Sequence, residues 1–305
     1  MPRVTLFTLA LLLTALPTLV RAGDESLTHS LACQLSLERA GFSPGLIDGR
    51  PGPKTTLALA EYQHSRHLPS SAWPDLPSTP LATYTIPANN ENDITGVTTD
   101  WNARAAMPYL GYESLLDLLA EKFHTSQRCL TSLNPNVDFN RAPVGTVITV
   151  PNVEPAPTPR AARLEINLAQ KAIRAFDSND KVIALFHCSI AANVAKRPSG
   201  EAQVTAVAVN PNYTFDPAMW PDVHNVTTKL TIPPGPRNPV GLAWISLSLP
   251  GYGMHGTPHP DQIGKTGSHG CFRLANWDAV RLSKMVRTGM TVTFISDGAA
   301  VAGAQ

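Results

Sequence analysis

The sequence predicts a multidomain chain: a small helical N-terminal domain, a compact α+β module, and a C-terminal, mainly β domain of sandwich or barrel-like type. Three observations carry this expectation. Apolar residues recur at helical spacing before residue 68. Between 81 and 152, two strand-like segments enclose two helical ones. From residue 163 onward, short apolar or alternating runs are punctuated by Gly, Pro and Asn. Two proline-containing stretches, PSSAWPDLPSTP (69–80) and VEPAPTPR (153–160), separate the three as linkers and predict tethered, separable modules.

The 305 residues suit more than one domain, and 43% hydrophobic with 15% charged residues suits globular units. The net charge of +1 conceals an asymmetry. Residues 24–160 hold 9 Lys and Arg against 14 Asp and Glu, and residues 161–305 hold 13 against 9. Neither part has a dense basic run, so nucleic acid is not an expected partner. The chain starts MPRVTLFTLALLLTALPTLVRAGD. Arg3 precedes an apolar stretch from Val4 to Val20 interrupted by Pro17, and Val20-Arg21-Ala22 suits a cleavage point. Residues 1–22 therefore read as a cleaved export signal, with a periplasmic or otherwise extracytoplasmic product and no stable membrane anchor.

In residues 24–68, SLTHSLACQLSLERAG sets Leu27, Leu31 and Leu35 on a helical face that stops at Gly41. The turn-rich FSPGLIDGRPGPKT follows, and TTLALAEYQHSRH resumes helical spacing. The pattern S-P-G-x-x-D-G-x-x-G-x-x-T from Ser43 to Thr55, with Gln63 later, resembles the helical peptidoglycan-binding domain. Asp48, Gly49 and Gly52 read equally as residues that only shape the loop. In residues 81–152 the strand-like TYTI leads into a polar insertion of about 25 residues, reaching Met107. Leu115, Leu116, Leu119 and Phe123 then share a helical face, a second helix carries Cys129, Leu130 and Leu133, and GTVITVPN alternates like a strand. With its L-x-x-L-N-P and G-x-x-I-x-V-P, this module resembles LysM; the insertion departs from that compact pattern.

Residues 161–297 supply the strands RLEINLA, AIRAF, VIALFHCSIA, AQVTAVAVNP, LAWISLSL and TVTFIS, with a short tail at 298–305. One helix is expected, NWDAVRLSKMVRTG, capped by Asn276 and stopped by Gly289. Ahead of it, GYGMHGTPHPDQIGKTGSHGCFRL holds His255, His259, His269 and Cys271. On a strand, His269 and Cys271 share a face, and Gly270 leaves backbone amides open. These residues alone leave open a cysteine nucleophile, a purely structural Cys–His neighbourhood, and a zinc site, although the spacing matches no zinc motif.

The full constellation is more specific. H-G-T-P, then I-G, then S-H-G-C-x-R-L-x-N-x-D-A resembles the L,D-transpeptidase catalytic domain of the YkuD type. I-P-P-G-P-R-N-P-V-G-L-A-W-I (232–245) and N-P-N-Y-T from Asn210 fit the same family. The resemblance implies Cys271 as the acylated nucleophile, His255 as the base, and His269 as a second histidine shaping the site. It places the amides of Gly270 and Cys271 at the oxyanion, Ser268 as a loop hydrogen-bonding residue, and Arg273 either on a substrate carboxylate or bracing the loop. Position 256 is Gly, so a backbone carbonyl has to hold the His255 tautomer. Arg197-Pro198-Ser199-Gly200 departs from the family's T-P-x-G.

No cofactor and no metal is implied. The partners implied are peptidoglycan stem peptides and glycan strands, with a lipoprotein lysine as one alternative acceptor. The resemblance also admits an L,D-carboxypeptidase that uses water, and a non-catalytic peptidoglycan-binding scaffold. With Cys271 reserved for chemistry, a bridge between Cys33 and Cys129 is the favoured pairing, and Cys188 is expected as an inert core thiol.

Overall fold

The computed structural model describes residues 22–296 apart from Val97, Pro221 and His269. The expected export signal lies outside the described residues except for Ala22. Helices α1 (Ala22–Ala40) and α2 (Pro53–Ser65) enclose the turn-rich segment. That turn is organised by the buried Gln34. Its Oε1 accepts the amides of Asp48 (3.0 Å) and Gly49 (2.8 Å), while Nε2 donates to the Leu46 carbonyl at 3.2 Å. Gly49 has φ +70°, a left-handed backbone conformation that favours glycine. Gln63 turns from α2 onto the Ser70 and Ala72 carbonyls and pins the first linker.

The next unit runs β1 (Leu81–Thr85), α3 (Trp101–Ala106), α4 (Leu115–Lys122), α5 (Gln127–Leu133) and β2 (Val147–Pro151), with β1 and β2 paired antiparallel. Side-chain oxygens of Asp100, Ser114 and Ser126 cap the three helices. The inserted segment carries α3. Its first part, with Ile94, stays against this unit's core, while α3 packs on the third unit, as described below.

The remaining strands are β3 (Arg163–Asn167), β4 (Ala172–Phe176), β5 (Val182–His187), β6 (Gly200–Val209), β7 (Tyr213–Phe215), β8 (Leu230–Ile232), β9 (Ala243–Leu247), β10 (Gly253–His255), β11 (Phe272–Arg273) and β12 (Thr291–Ile295). Eight of them form one sheet in the order β11–β10–β9–β6–β12–β3–β4–β5, and β7 and β8 form a separate hairpin. The mainly β character agrees with the sequence. The sheet curls until its edges meet, Ser189 just past β5 exchanging backbone hydrogen bonds with Arg273 of β11 (2.9 and 3.1 Å), which fits the barrel-like expectation. The two separate sheets of a sandwich are corrected to one continuous sheet. The reason is β6. Its first residues pair with β12 and its later ones with β9, with a register shift between Val204 and Ala206. One long strand thus joins what patterning would divide into two sheets.

Helix α6 (Asn276–Met285) covers the sheet, and Ala279, Leu282 and Met285 enter a core with Ile245, Met254 and Phe272. Asn276 is not the cap: Ala275 is, without a side-chain bond. The Asn276 side chain is drawn inward instead. Its Oδ1 accepts the Leu242 amide (3.1 Å), and Nδ2 donates to Glu121 Oε2 (2.9 Å) and the Pro236 carbonyl (3.1 Å).

The three units are packed together, which corrects the expectation of tethered modules. The chain at Gly41–Ser43 adds to the sheet edge: Ser43 N donates to the Leu185 carbonyl (3.0 Å) and Leu185 N to that of Gly41 (3.2 Å). Leu37, Phe42 and Ala58 share one apolar cluster with Ala172, Phe176, Val182 and Leu185. Beside it the buried Arg174 pairs with Glu61 and with Glu165 at 3.4 Å. Ser43 Oγ donates to Asp278 Oδ2 at 2.9 Å. The second unit closes the junction, with His124 Nδ1 3.1 Å from Glu38 and its ring stacked on Trp277 at 4.7 Å.

All four cysteines are free, so the expected Cys33–Cys129 bridge is also corrected. Cys33 Sγ faces His29 Nε2 one helical turn away (3.6 Å), while Cys129 packs among Leu31, Leu35 and Ile47. Cys188 is fully buried, and burial pushes its thiol up to about 12. No helix among the described residues is long and apolar enough to cross a membrane.

Burial raises the Glu121 carboxyl to about 7, even though Asn276 and Tyr112 bond to it. A carboxyl raised in the folded state holds its proton longer than in the unfolded chain. Its contribution is therefore fully present below about 4.5 and lost as pH rises towards 7. The cost at pH 8 is on the order of 2–3 kcal/mol after allowance for solvent screening. Glu121→Gln removes the ionisation. Melting scans at pH 5 and pH 8 are expected to place the variant a few degrees above the parent at pH 8 only. An equal difference at both pH values would contradict this.

Candidate active site

Strands β10 and β11 run parallel, with Met254 opposite Phe272 and His255 opposite Arg273. Cys271 thus falls beside Gly253, just ahead of β11, and by strand alternation Cys271, Arg273 and His255 share one face. The half-buried Cys271 sulfur lies 3.4 Å from the Gly251 carbonyl. Burial raises its thiol above the ordinary value, and the Gly253 backbone offsets part of this.

His255 is buried, and its Nδ1 lies 2.7 Å from the Gly256 carbonyl. This is the backbone acceptor that glycine at 256 requires. A Cβ on Gly256 would come within 2.2 Å of Asn276 Oδ1, so no side chain fits there. With Nδ1–H donating, Nε2 keeps its lone pair. Burial lowers the imidazole to about 4, with Arg273 adding to the effect, so His255 is neutral at neutral pH. Trp244, on β9, stacks on it at 5.5 Å between ring centroids.

The segment ahead of Cys271 is held from both sides. Ser268 N donates to the Ile190 carbonyl (2.8 Å) and Ala192 N to that of Ser268 (3.0 Å). The Ser268 hydroxyl donates to the Cys271 carbonyl and accepts the Gly270 amide at 3.2 Å. The Gly270 N–H is therefore engaged in this arrangement, while the Cys271 amide makes no hydrogen bond among the described residues. Arg273 Nη2 donates to the Thr266 carbonyl (3.0 Å), the Thr266 hydroxyl (3.1 Å) and the Gly267 carbonyl, bracing the loop. Its Nε is buried without a partner among the described residues. His269 lies outside the described residues. His259 is exposed.

Sequence reasoning missed the flap over this face. The β7–β8 hairpin brings Tyr213 near Cys271; burial raises the Tyr213 phenol and the nearby sulfur adds to it. The inserted segment of the second unit supports the hairpin. Trp101 stacks on Phe215 at 4.0 Å, Asn225 Nδ2 donates to Asp100 Oδ2 at 2.7 Å, and Leu110 N donates to the Pro234 carbonyl at 2.8 Å. The one signal in the sequence was the polar insertion itself, too long for the compact pattern around it.

Residues 161–295 match the family model of YkuD, described as an L,D-transpeptidase catalytic domain. A putative L,D-transpeptidase YkuD of Bacillus licheniformis is 27% identical over 178 residues, covering 58% of this chain and 92% of that protein. The Bacillus subtilis protein of the same description is 26% identical over 178 residues, with the same shares. A crystal structure of an Enterococcus faecium L,D-transpeptidase is similar at a TM-score of 0.33 and 18% identity, covering 52% of this chain and spanning 58% of that one.

Proposed function

We propose, on the premise that the chain carries an L,D-transpeptidase catalytic domain of the YkuD type at residues 161–295, that it acts through Cys271 on peptidoglycan stem tetrapeptides. The product is an acyl group passed to an amine acceptor. The observation that carries this reading is the disposition of His255: neutral, with Nδ1 bound to Gly256 and Nε2 unprotonated, on the face it shares with Cys271.

Thiol and imidazole are both neutral in the free protein, so the proton moves as attack occurs. Cys271 Sγ bonds to the carbonyl carbon of the amide before the terminal D-alanine, and His255 Nε2 takes the thiol proton. Charge developing on the carbonyl oxygen meets the Cys271 amide. Turning the Ser268 hydroxyl aside would add the Gly270 amide. As the C–N bond breaks, His255 returns the proton to the departing amine and a thioester remains. An acceptor amine then attacks the thioester carbon, gives its proton to His255, and the thiol is restored as the new amide forms. A stem-peptide amine gives a cross-link, a lipoprotein lysine gives an anchor, and water gives a carboxypeptidase; all share one acyl-enzyme. Action on this substrate places the mature protein outside the cytoplasm. The LysM-like and helical units contribute wall contacts in this reading.

Incubation with a carbapenem tests the chemistry: intact mass spectrometry should show one adduct, mapped to Cys271. The acylation rate should fall only as pH drops through about 4, where His255 gains its proton, rather than near 6.5. An adduct elsewhere in the chain, or an acid limb near 6.5, would contradict the assignment.

A further inference from the structure

Beyond His255 the strand pair opens into a cavity of about 260 Å³. Its walls come from three places: the inserted segment of the second unit (Trp101, Arg104), the loop after β8 (Arg237), and the strand ends of the site (Thr257, Arg273). No acidic side chain lines it among the described residues. Three guanidinium groups do. Arg237 is neutralised from outside the cavity by Glu113 and by Asp117 at 3.5 Å. Arg104 has no carboxylate partner among the described residues; its Nε donates to the Thr98 carbonyl at 2.6 Å, and its guanidinium sits over the Trp101 ring at 5.2 Å. Burial lowers Arg104 from its ordinary value, and the neighbouring Arg237 cation lowers it further, as expected of uncompensated positive charge. Arg273 likewise has no carboxylate partner among the described residues; its Nη2 is held by the Thr266–Gly267 loop while the residue lines the cavity.

Two unpaired guanidinium groups in a partly desolvated cavity stand at a cost that an anion would relieve, and planar carboxylates fit the guanidinium fork. Arg273 is two residues from Cys271 on the same face, which places the cavity within a peptide residue or two of the thiol. Trp101 and Trp220 offer apolar surface for the rest of the chain. We infer that this cavity, completed by Arg104 of the inserted segment, is a subsite for a carboxylate of the peptide substrate other than the group attacked by Cys271. The inference rests on the peptide-substrate reading above. It also accounts for the insertion, through which the second unit contributes a specificity residue to the catalytic domain.

Calorimetric affinity in the full-length Cys271→Ala protein, which cannot turn over, tests the subsite. The probes are a soluble stem tetrapeptide with its non-reacting carboxylates free, and the same peptide with them amidated. Amidation should weaken binding roughly 10-fold when Arg104 is present, the scale of one charge-assisted hydrogen bond. Arg104→Gln should bring the two peptides within about 2-fold of each other, and Arg104→Lys should keep part of the discrimination. Arg104 lies on a short, partly exposed helix, so unchanged melting of the variants is expected. The same amidation factor with and without Arg104 would overturn the subsite, as would failure of the free-carboxylate peptide to bind. D-alanine release by the Cys271-containing protein, measured in parallel, reports the reaction alone. Release without Arg104-dependent discrimination removes the subsite and keeps the reaction; absence of both binding and release removes both.

Discussion

Cys271→Ala is expected to abolish acylation by a carbapenem and to lower D-alanine release by roughly 10³-fold or more, because removing one member of a catalytic unit forfeits most of what the unit does. The fold should be unaffected. The sulfur is half-buried, it contacts the Gly251 carbonyl at 3.4 Å, and alanine leaves the backbone pairing of β10 with β11 in place. Unchanged thermal melting beside lost acylation is therefore the expected pair of results. Two outcomes would refute the assignment: D-alanine release at the parental rate by the folded variant, or a carbapenem adduct persisting at one of the three buried cysteines. The other thiols make a demanding control. Burial raises all three, Cys188 to about 12, so none of them offers a competing thiolate.

Deleting residues 24–152 is expected to cost the catalytic domain its stability, not only its grip on the wall. The deletion strips Leu37, Phe42 and Ala58 from the cluster they share with Ala172, Phe176, Val182 and Leu185, leaving the outer face of the β4–β5 edge in water. Each large apolar side chain so affected is worth about 1.5–3 kcal/mol. The buried Arg174 also loses Glu61, and a buried charge stripped of a partner costs more than the pair contributes. Together these losses approach the whole stability of an ordinary domain, about 5–15 kcal/mol. The truncated chain should aggregate, or melt roughly 10–20 °C below the parent, and should be acylated slowly by a small β-lactam as well as by polymer. Melting at the parental temperature with full acylation would mean that the contacts between units contribute little. Phe42→Ala in the full chain offers a milder check, with an expected loss of about 3–5 kcal/mol.

Local patterning determined much of this protein. The six long strands of the third unit, the helix pair of the first, the helices α4 and α5, and the order of chemical groups from His255 to Arg273 are all readable because each depends on residues close in the chain. Periodicity, turn glycines and the S-H-G-C-x-R segment are local signals, and the backbone carbonyl on His255 followed from a single glycine. What periodicity could not carry is which surfaces meet. β6 reads as one strand in either a sandwich or a single sheet; its pairing with β12 at one end and β9 at the other decides between them, and that pairing involves residues at least 34 positions away. Asn276 has the sequence of a helix cap, but Glu121, 155 residues earlier, and the Leu242 amide claim its side chain. The proline-containing linkers suggested free modules because composition reports chain stiffness and not the apolar faces at either end. Phe42 and Leu185 are adjacent only in the fold. The polar insertion near Trp101 and Arg104 looked like an irregularity within its own module for the same reason: its partners, Phe215 and Arg237, lie more than 100 residues further on, and only long-range packing brings them to one wall.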